Sequence, residues 1–379
     1  MKKLWEGNTN FKNKSHLNNY CKWLKKHRNL EFNDYHSLWE WSTENIEDFW
    51  ESIWHYFKVT SHSPYSKVLS SHNMPECKWF EGARLNYAEH IFKQSKTEAT
   101  AIYFSNENGI QKSITWKELE RKVASTITYL KSLGVTKGDC VVAFLPNVPE
   151  ATIGFLATNA IGAIWSSTSP DFGTESVVNR FAQIKPKVLF AVDGYRYNCK
   201  PYDKITTVKD IVAELPTLTK IIMLPYLNES ALDNFSDKYI DIETVFKVPG
   251  GDLQFQPVDF NHPIWVLYSS GTTGLPKAIV HSHGGILLEH YKYMAFHNDV
   301  HKGENYFWFT TTGWMMWNFL QSALLMGASI VLYDGSPTYP EFDSLWALSD
   351  ELTIHHFGTS APYLVANMKK TVARKHIIS

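Results

Sequence analysis

From about residue 98 onward, short apolar runs alternate with stretches whose apolar residues recur every three or four positions. Thr100-Ala101-Ile102-Tyr103-Phe104 reads as a strand. Thr115 to Glu118 has the form of a capping box, and Leu119, Val123, Ile127 and Leu130 follow at helical spacing to a stop at Gly134. Strands are predicted over 139–145, 163–168 and 187–192, with helices over 148–161 and 174–184, and a further helix and strand end near Leu224. Residues 225–262 are rich in proline, glycine and asparagine and read as a long connection holding one short helix or strand. Alternation then resumes, with strands at 265–268, 306–310, 329–333 and 354–358 and helices at 314–326, 343–351 and 361–370. This order predicts an α/β fold of layered, mostly parallel sheets flanked by helices.

The first part of the chain has a different pattern. In 43–57, Ile46, Phe49, Trp50, Ile53, Trp54 and Phe57 form one helical stripe, with Thr43 placed to cap it. Residues 1–97 therefore read as a helical, aromatic-rich N-terminal extension that packs on a second unit, 98–379.

Composition narrows the function. The 379 residues carry 37 basic and 38 acidic side chains, a net charge of -1, which excludes the electrostatic footprint of a nucleic-acid binder. Cys21, Cys77, Cys140 and Cys199 are scattered, without a CxxC pair, so a reducing, cytoplasmic setting is expected and a disulfide framework is not. No apolar run follows Lys2 and Lys3, so no signal peptide is expected. The longest apolar stretch, 151–167, is too short and too mixed for a membrane span and reads as a buried helix running into a strand.

Candidate chemistry is concentrated in Ser269-Ser270-Gly271-Thr272-Thr273-Gly274-Leu275-Pro276-Lys277, which follows the strand Trp265-Val266-Leu267-Tyr268. Gly271 and Gly274 permit tight turns and close approach of backbone N–H groups to a phosphate. The four hydroxyls add donors, and Lys277 adds a positive charge within reach of a leaving pyrophosphate. This is not a Walker loop, because the glycines are three apart and a strand, Ala278-Ile279-Val280-His281, follows rather than a helix.

The loop resembles the phosphate loop of the adenylate-forming family, which includes acyl-CoA synthetases, luciferases and peptide-synthetase adenylation domains. Trp79 to Glu89, Leu145-Pro146-Asn147-Val148-Pro149-Glu150, Gly162 to Ser167 and Gly313 to Asn318 are similar to the acetyl- and acetoacetyl-activating branch. Ser166 to Gly173 and Phe357 to Ala361 are closest to its acetoacetyl-activating members.

The resemblance implies a two-step reaction on small molecules. A short-chain carboxylate, acetoacetate favoured, attacks ATP to form an acyl-adenylate, and coenzyme A then displaces AMP, with Mg2+ offsetting phosphate charge. It assigns nucleotide binding to Ser269, Ser270, Gly271, Thr272, Thr273, Gly274 and Lys277, with Thr272 and Lys277 also catalytic. It assigns the acyl pocket to Trp314, Met315 and Met316, and coenzyme A to Asp171, Arg196, Lys200 and Thr338. The coenzyme A residues depart from the acetyl-activating pattern, with Pro170-Asp171 in place of a glycine pair and Thr338 in place of Asn, which favours the sister branch.

Plainer readings stand beside these. Trp314 also fits core packing through Phe319, Leu320 and Leu324; Asp171 also fits a cap on the helix near Thr174; Arg196 also fits a solvated charge. The pairs His281/His283 and His355/His356 read as hydrogen-bonded structural histidines, and no metal ligand is assigned to this chain. The family's metal-holding glutamate, ribose-binding aspartate and α-phosphate lysine segments are not found in 358–379. The expectation is therefore a second unit incomplete at its C-terminal end, inactive alone, with a missing or separately encoded C-terminal part as partner. A non-catalytic ATP- or coenzyme A-binding remnant is the alternative.

Overall fold

The computed structural model describes residues 6–94, 98–231, 235–269 and 274–370. Local signals set many of its elements. Thr115 Oγ1 accepts the N–H of Glu118 at 3.1 Å and starts the helix Trp116–Ser132. That helix buries Leu119, Val123, Ile127 and Leu130 and ends before Gly134, whose φ of 74° is left-handed. The Glu118 carboxylate pairs with Lys122 at 3.3 Å. The apolar stretch after Pro149 is the helix Pro149–Ile161, buried on every side, which turns at Gly162 into the strand Ile164–Thr168.

Two sheets enclose that helix. The larger has seven strands in the order Tyr239–Asp241, Lys220–Leu224, Val188–Val192, Cys140–Phe144, Ile164–Thr168, Pro263–Ser269 and Lys277–Ser282. Its pairings are parallel except the last, where Lys277–Ser282 runs antiparallel to Pro263–Ser269 at the sheet edge. The second sheet has five strands in the order His356–Gly358, Asn305–Trp308, Ser329–Asp334, Thr100–Asn106 and Gly109–Thr115. It is parallel except for the hairpin formed by its last two strands.

Strand alternation builds the layers. Val141 and Ala143 from one sheet share a core with Ile330 and Leu332 from the other and with Phe155 of the enclosed helix. Their neighbours Val142 and Phe144 point to the opposite face, against Val177, Phe181, Val208 and Ile211 of the helices Thr174–Phe181 and Ile205–Glu214. Val331 and Tyr333 likewise face Leu345, Leu348 and Tyr363 of the helices Ser344–Glu351 and Ala361–Lys369. The result is the layered, mostly parallel α/β fold that the alternation predicts.

Several boundaries are corrected. The stripe over 43–57 is divided between the helices Tyr35–Glu44 and Ile46–Tyr56. Thr43 caps neither start; its hydroxyl donates back to Glu40 O at 3.0 Å, and Asp34 caps the first helix. The aromatic stripe packs inward, with Trp54 stacked on Phe80 at 4.6 Å and Phe57 on Tyr291 at 4.7 Å. The long connection holds a strand, Tyr239–Asp241, and a helix, Ile242–Phe246. No helix among the described residues is long and apolar enough to cross a membrane.

Candidate functional site

The C-terminal ends of five strands, drawn from both sheets, meet at one cleft of about 450 Å³. Pro146 and Asn147 follow one strand, Ser169 to Asp171 the next, and Tyr195 to Tyr197 a third; Phe309 to Thr311 and Asp334 come from the smaller sheet. Ligands of open α/β sheets bind outside such strand ends, where connections diverge and backbone groups are free.

Hydrogen bonds fix the cleft. Thr312 Oγ1 donates to Leu145 O at 2.6 Å, and Ser167 Oγ donates to Thr312 O at 2.7 Å, so the 309–313 segment is tied to the larger sheet. Trp317 Nε1 donates to Asn147 Oδ1 at 3.1 Å. Buried Asp193 accepts the backbone N–H groups of Tyr226, Leu227 and Asn228 at 2.7–3.0 Å. That turn aims Tyr226, whose hydroxyl donates to Asp334 Oδ2 at 3.0 Å. Burial pushes the Asp334 carboxyl up to about 7, against the Tyr226 hydrogen bond, and the nearby Glu107 charge adds to the rise.

A hairpin, Gly194–Tyr197 with Lys200–Asp203, forms one wall. Its two turn residues, Asn198 and Cys199, both have positive φ, and their N–H groups donate to Glu107 at 2.7 and 2.6 Å. Glu107 Oε1 also accepts Ser336 N at 2.8 Å, so one carboxylate holds the hairpin tip against the segment after Asp334. This hairpin, and the group Asp193, Tyr226, Glu107 and Asp334, escaped the sequence reading. The Asn at a two-residue turn between tyrosine-rich flanks was the available signal.

Of the residues assigned to coenzyme A, Asp171 and Arg196 line the cleft. Asp171 does not cap the following helix, which has Gly173 at its cap position without a side-chain bond. Lys200 and Thr338 are outside the lining. The register pairs Arg196 with Pro201 and Lys200 with Tyr197, so the two cations leave opposite faces of the hairpin. Thr338 lies in a turn, its N–H directed to Ser336 Oγ at 3.4 Å.

The phosphate-loop candidates collect at the edge of the larger sheet. Ser269 and Lys277 are paired across the antiparallel ladder, and Gly274, with a φ of 149°, lies on the return. Gln183 Nε2 donates to Pro276 O at 3.0 Å, and Tyr268 hydroxyl donates to Arg180 O at 2.7 Å, tying both sides of the loop to one neighbouring helix and turn. Ser270, Gly271, Thr272 and Thr273 lie outside the described residues.

Trp314 precedes the helix Met315–Gln321 and is 52% exposed, as Met315 is 48% exposed, so neither is a core residue. Met316 is partly buried. The buried indole of this segment is Trp317, stacked with Trp165 at 6.4 Å. None of Trp314, Met315 and Met316 lines the cleft; they follow directly from its Thr310-Thr311 wall.

The histidine pairs are structural. His281 Nδ1 accepts Trp265 Nε1 at 2.9 Å; His283, fully buried at a helix start, accepts Tyr87 N at 3.3 Å. His355 Nδ1 accepts Asn305 N, and His356 Nε2 meets Glu304 at 2.8 Å. Among the described residues, His16, Asp299 and His301 cluster closely enough to suggest a metal. The two rings stack at 4.4 Å, 21° from parallel, so their in-plane lone pairs do not converge on a shared ion. With His16 N donating to Asp299 at 2.7 Å, the group latches an N-terminal helix to the body.

Comparison with known proteins gives the family. The AMP-binding enzyme family profile matches residues 89–376, and that of the acetyl-coenzyme A synthetase N-terminus matches 35–91. Acetoacetyl-CoA synthetase of Gallus gallus is 37% identical over 97% of this chain and 56% of its own length. That of Rhizobium meliloti is 37% identical over 99% and 58%. The solved acetoacetyl-CoA synthetase from Streptomyces lividans superposes with a TM-score of 0.93 at 42% identity, covering 98% of this chain and 57% of that one. The chain thus spans somewhat over half the length of these relatives. With a family profile across most of its residues and a matching fold, the chain belongs to the AMP-binding enzyme family.

Proposed function

We propose that this chain carries the phosphate-binding and thiol-entry parts of an acid–thiol ligase that converts a short-chain acid, acetoacetate, through an acyl-adenylate to its coenzyme A thioester. The observation that carries the reading is the hydroxyl- and glycine-rich loop between two paired strands, with Ser269 and Lys277 opposed at its base. Lys277 would meet the triphosphate, with the loop N–H groups and the Thr272 and Thr273 hydroxyls around it. Arg196 at the cleft wall would pair with a phosphate of coenzyme A, and the cleft volume suits an extended thiol-bearing arm. Acid would lie against Trp314, whose indole limits its length.

Magnesium, when bound, would neutralise charge on the phosphates; no carboxylate of this chain is assigned to it. Segments matching the family's ribose-binding aspartate, metal-holding glutamate and α-phosphate lysine are not found in residues 358–379, and we propose that the residues of this chain by themselves bind the substrates with slow turnover. The test is incubation with ATP, Mg2+, acetoacetate and coenzyme A. Binding of ATP and coenzyme A with little AMP release is the expected result. Robust AMP release would overturn the slow-turnover reading, and failure to bind ATP would overturn the assignment of the loop. Tight binding with no turnover in any acid, even when the remaining segments are supplied, would favour a non-catalytic binding module.

A further inference from the structure

One acid of the cleft has no part in the reaction proposed for it. Asp334 ends the strand Ser329–Asp334 and lines the cleft, partly buried. Its Oδ2 accepts the Tyr226 hydroxyl at 3.0 Å, and its Oδ1 has no hydrogen-bond partner among the described residues. The direction of the Tyr226 bond is fixed from the far side. Asn106 Oδ1 accepts the N–H of Asn108 at 2.9 Å, so Asn106 Nδ2 is the group that meets the Tyr226 hydroxyl, at 3.4 Å. The Tyr226 oxygen accepts there, and its proton goes to Asp334.

A single donor compensates a buried carboxylate poorly, and the surroundings supply no cation. Glu107, whose oxygens accept the N–H groups of Asn198, Cys199 and Ser336, adds like charge. Glu150, near Tyr226, is paired with Lys112, and Asp193 is spent on the backbone of the Tyr226 turn. Burial pushes the phenols of Tyr195 and Tyr333 up, so both stay neutral. Asp171 and Arg196 also line the cleft, and no cation is among the groups that act on Asp334. Burial therefore keeps a proton on Asp334 up to about 7. Nearby polar side chains are committed: Asn147 donates to Tyr333 O at 3.4 Å, and Thr310 Oγ1 donates to Thr311 O at 3.0 Å. Asp334 is left with a proton to give and no protein acceptor for it.

We propose that Asp334 is a positioning residue for the thiol substrate: its carboxyl, held by Tyr226, donates a hydrogen bond to an amide carbonyl of the coenzyme A arm. The inference rests on the reading of the cleft as the coenzyme A site. It also accounts for an acid in the wall of a site for a polyanion, because a neutral carboxyl does not repel phosphates.

Coenzyme A and adenosine 3′,5′-bisphosphate, which has the nucleotide end without the arm, are titrated into the full chain by calorimetry at pH 6 and pH 8. The ratio of their affinities isolates the arm. Asp334→Asn is the reference, because it keeps an acceptor for Tyr226 and a donor for the arm at either pH, and it carries any slope due to the ligands' own phosphates. The unaltered protein is expected to match this reference at pH 6 and to fall about tenfold below it at pH 8, as Asp334 loses its proton. Asp334→Leu should lie below the reference at both. A purely structural Asp334 would not separate from Asp334→Asn as pH rises. A gap that does not widen with pH would overturn the assignment, as would a folded Asp334→Leu that matches the unaltered protein at pH 6. Should Asp334→Leu not fold, the comparison with Asp334→Asn decides alone. Absence of coenzyme A binding at both pH values would instead remove the reading of the cleft itself.

Discussion

Ser269 and Lys277 face each other as the last pair of the antiparallel ladder at the edge of the seven-stranded sheet. The phosphate-loop segment therefore leaves and returns at one point, and Lys277 starts from a position held by the sheet. Its side chain is exposed, so Lys277→Ala should leave unfolding within about 0.5 kcal/mol of the unaltered protein. Loss of a charge-assisted contact of about 1.5–3 kcal/mol should weaken Mg·ATP binding by roughly one to two orders of magnitude. Titration calorimetry beside urea unfolding separates the two effects.

Arg196 and Lys200 leave opposite faces of one hairpin, and Arg196 alone of the two lines the cleft. Arg196→Ala should weaken coenzyme A binding several-fold and reduce its salt dependence, whereas Lys200→Ala should do little. Equal losses in both variants would show that the thiol substrate does not use this wall.

Asp334 should make stability depend on pH. Burial raises its folded-state value from 3.8 to about 7, so the folded protein keeps a proton that the unfolded chain releases. Stability from this group is full below about pH 4 and falls as pH rises to about 7, where folded Asp334 must ionise. The loss is at most about 4 kcal/mol at 1.36 kcal/mol per unit, less where solvent enters the cleft. Asp334→Asn keeps an acceptor for the Tyr226 hydroxyl and should flatten this slope. Urea midpoints across the range, showing a gain for the variant near pH 8 and none near pH 4, check the sign.

Asp193 satisfies three consecutive backbone donors, at Tyr226, Leu227 and Asn228. Asp193→Ala should cost about 2–4 kcal/mol, because those donors lose a buried acceptor. Faster amide hydrogen exchange at Leu227 and Asn228 would locate the damage, and unchanged exchange would argue against the role given to this carboxylate.

Gly358 stands beside Trp308 in the five-stranded sheet, and a Cβ there would lie 2.1 Å from the indole. Gly358→Ala should cost about 1–3 kcal/mol by displacing that ring. The urea midpoint measures it; Gly251→Ala, where a Cβ meets nothing within 4 Å, is the control.

Much of the fold was legible in the chain because its signals are local. The run from Thr115 to Gly134 carries its own cap, stripe and stop, and the structure keeps them, although Glu118 pairs with Lys122 and only the Thr115 half of the capping box forms. The run over 43–57 misled because apolar spacing continues across Asn45, where the chain breaks between two helices and Asp34 supplies the earlier cap. The sequence points to Asp171 and Arg196, yet their joint position at one cleft depends on parallel strands whose order no local pattern encodes.

By itself the sequence determined the alternation of strand and helix, the enclosed apolar helix and the donor-rich loop. Each depends on side-chain period and backbone chemistry within a few residues. Only the tertiary structure decided that the strands divide between two sheets, and that Asp193, Tyr226 and Asp334, up to 141 residues apart, join in one chain of hydrogen bonds. It also decided that Trp317 is buried while Trp314 is exposed. Helical spacing names the faces of a helix; the partner packed against it determines which face loses its water, and burial in turn sets the proton on Asp334.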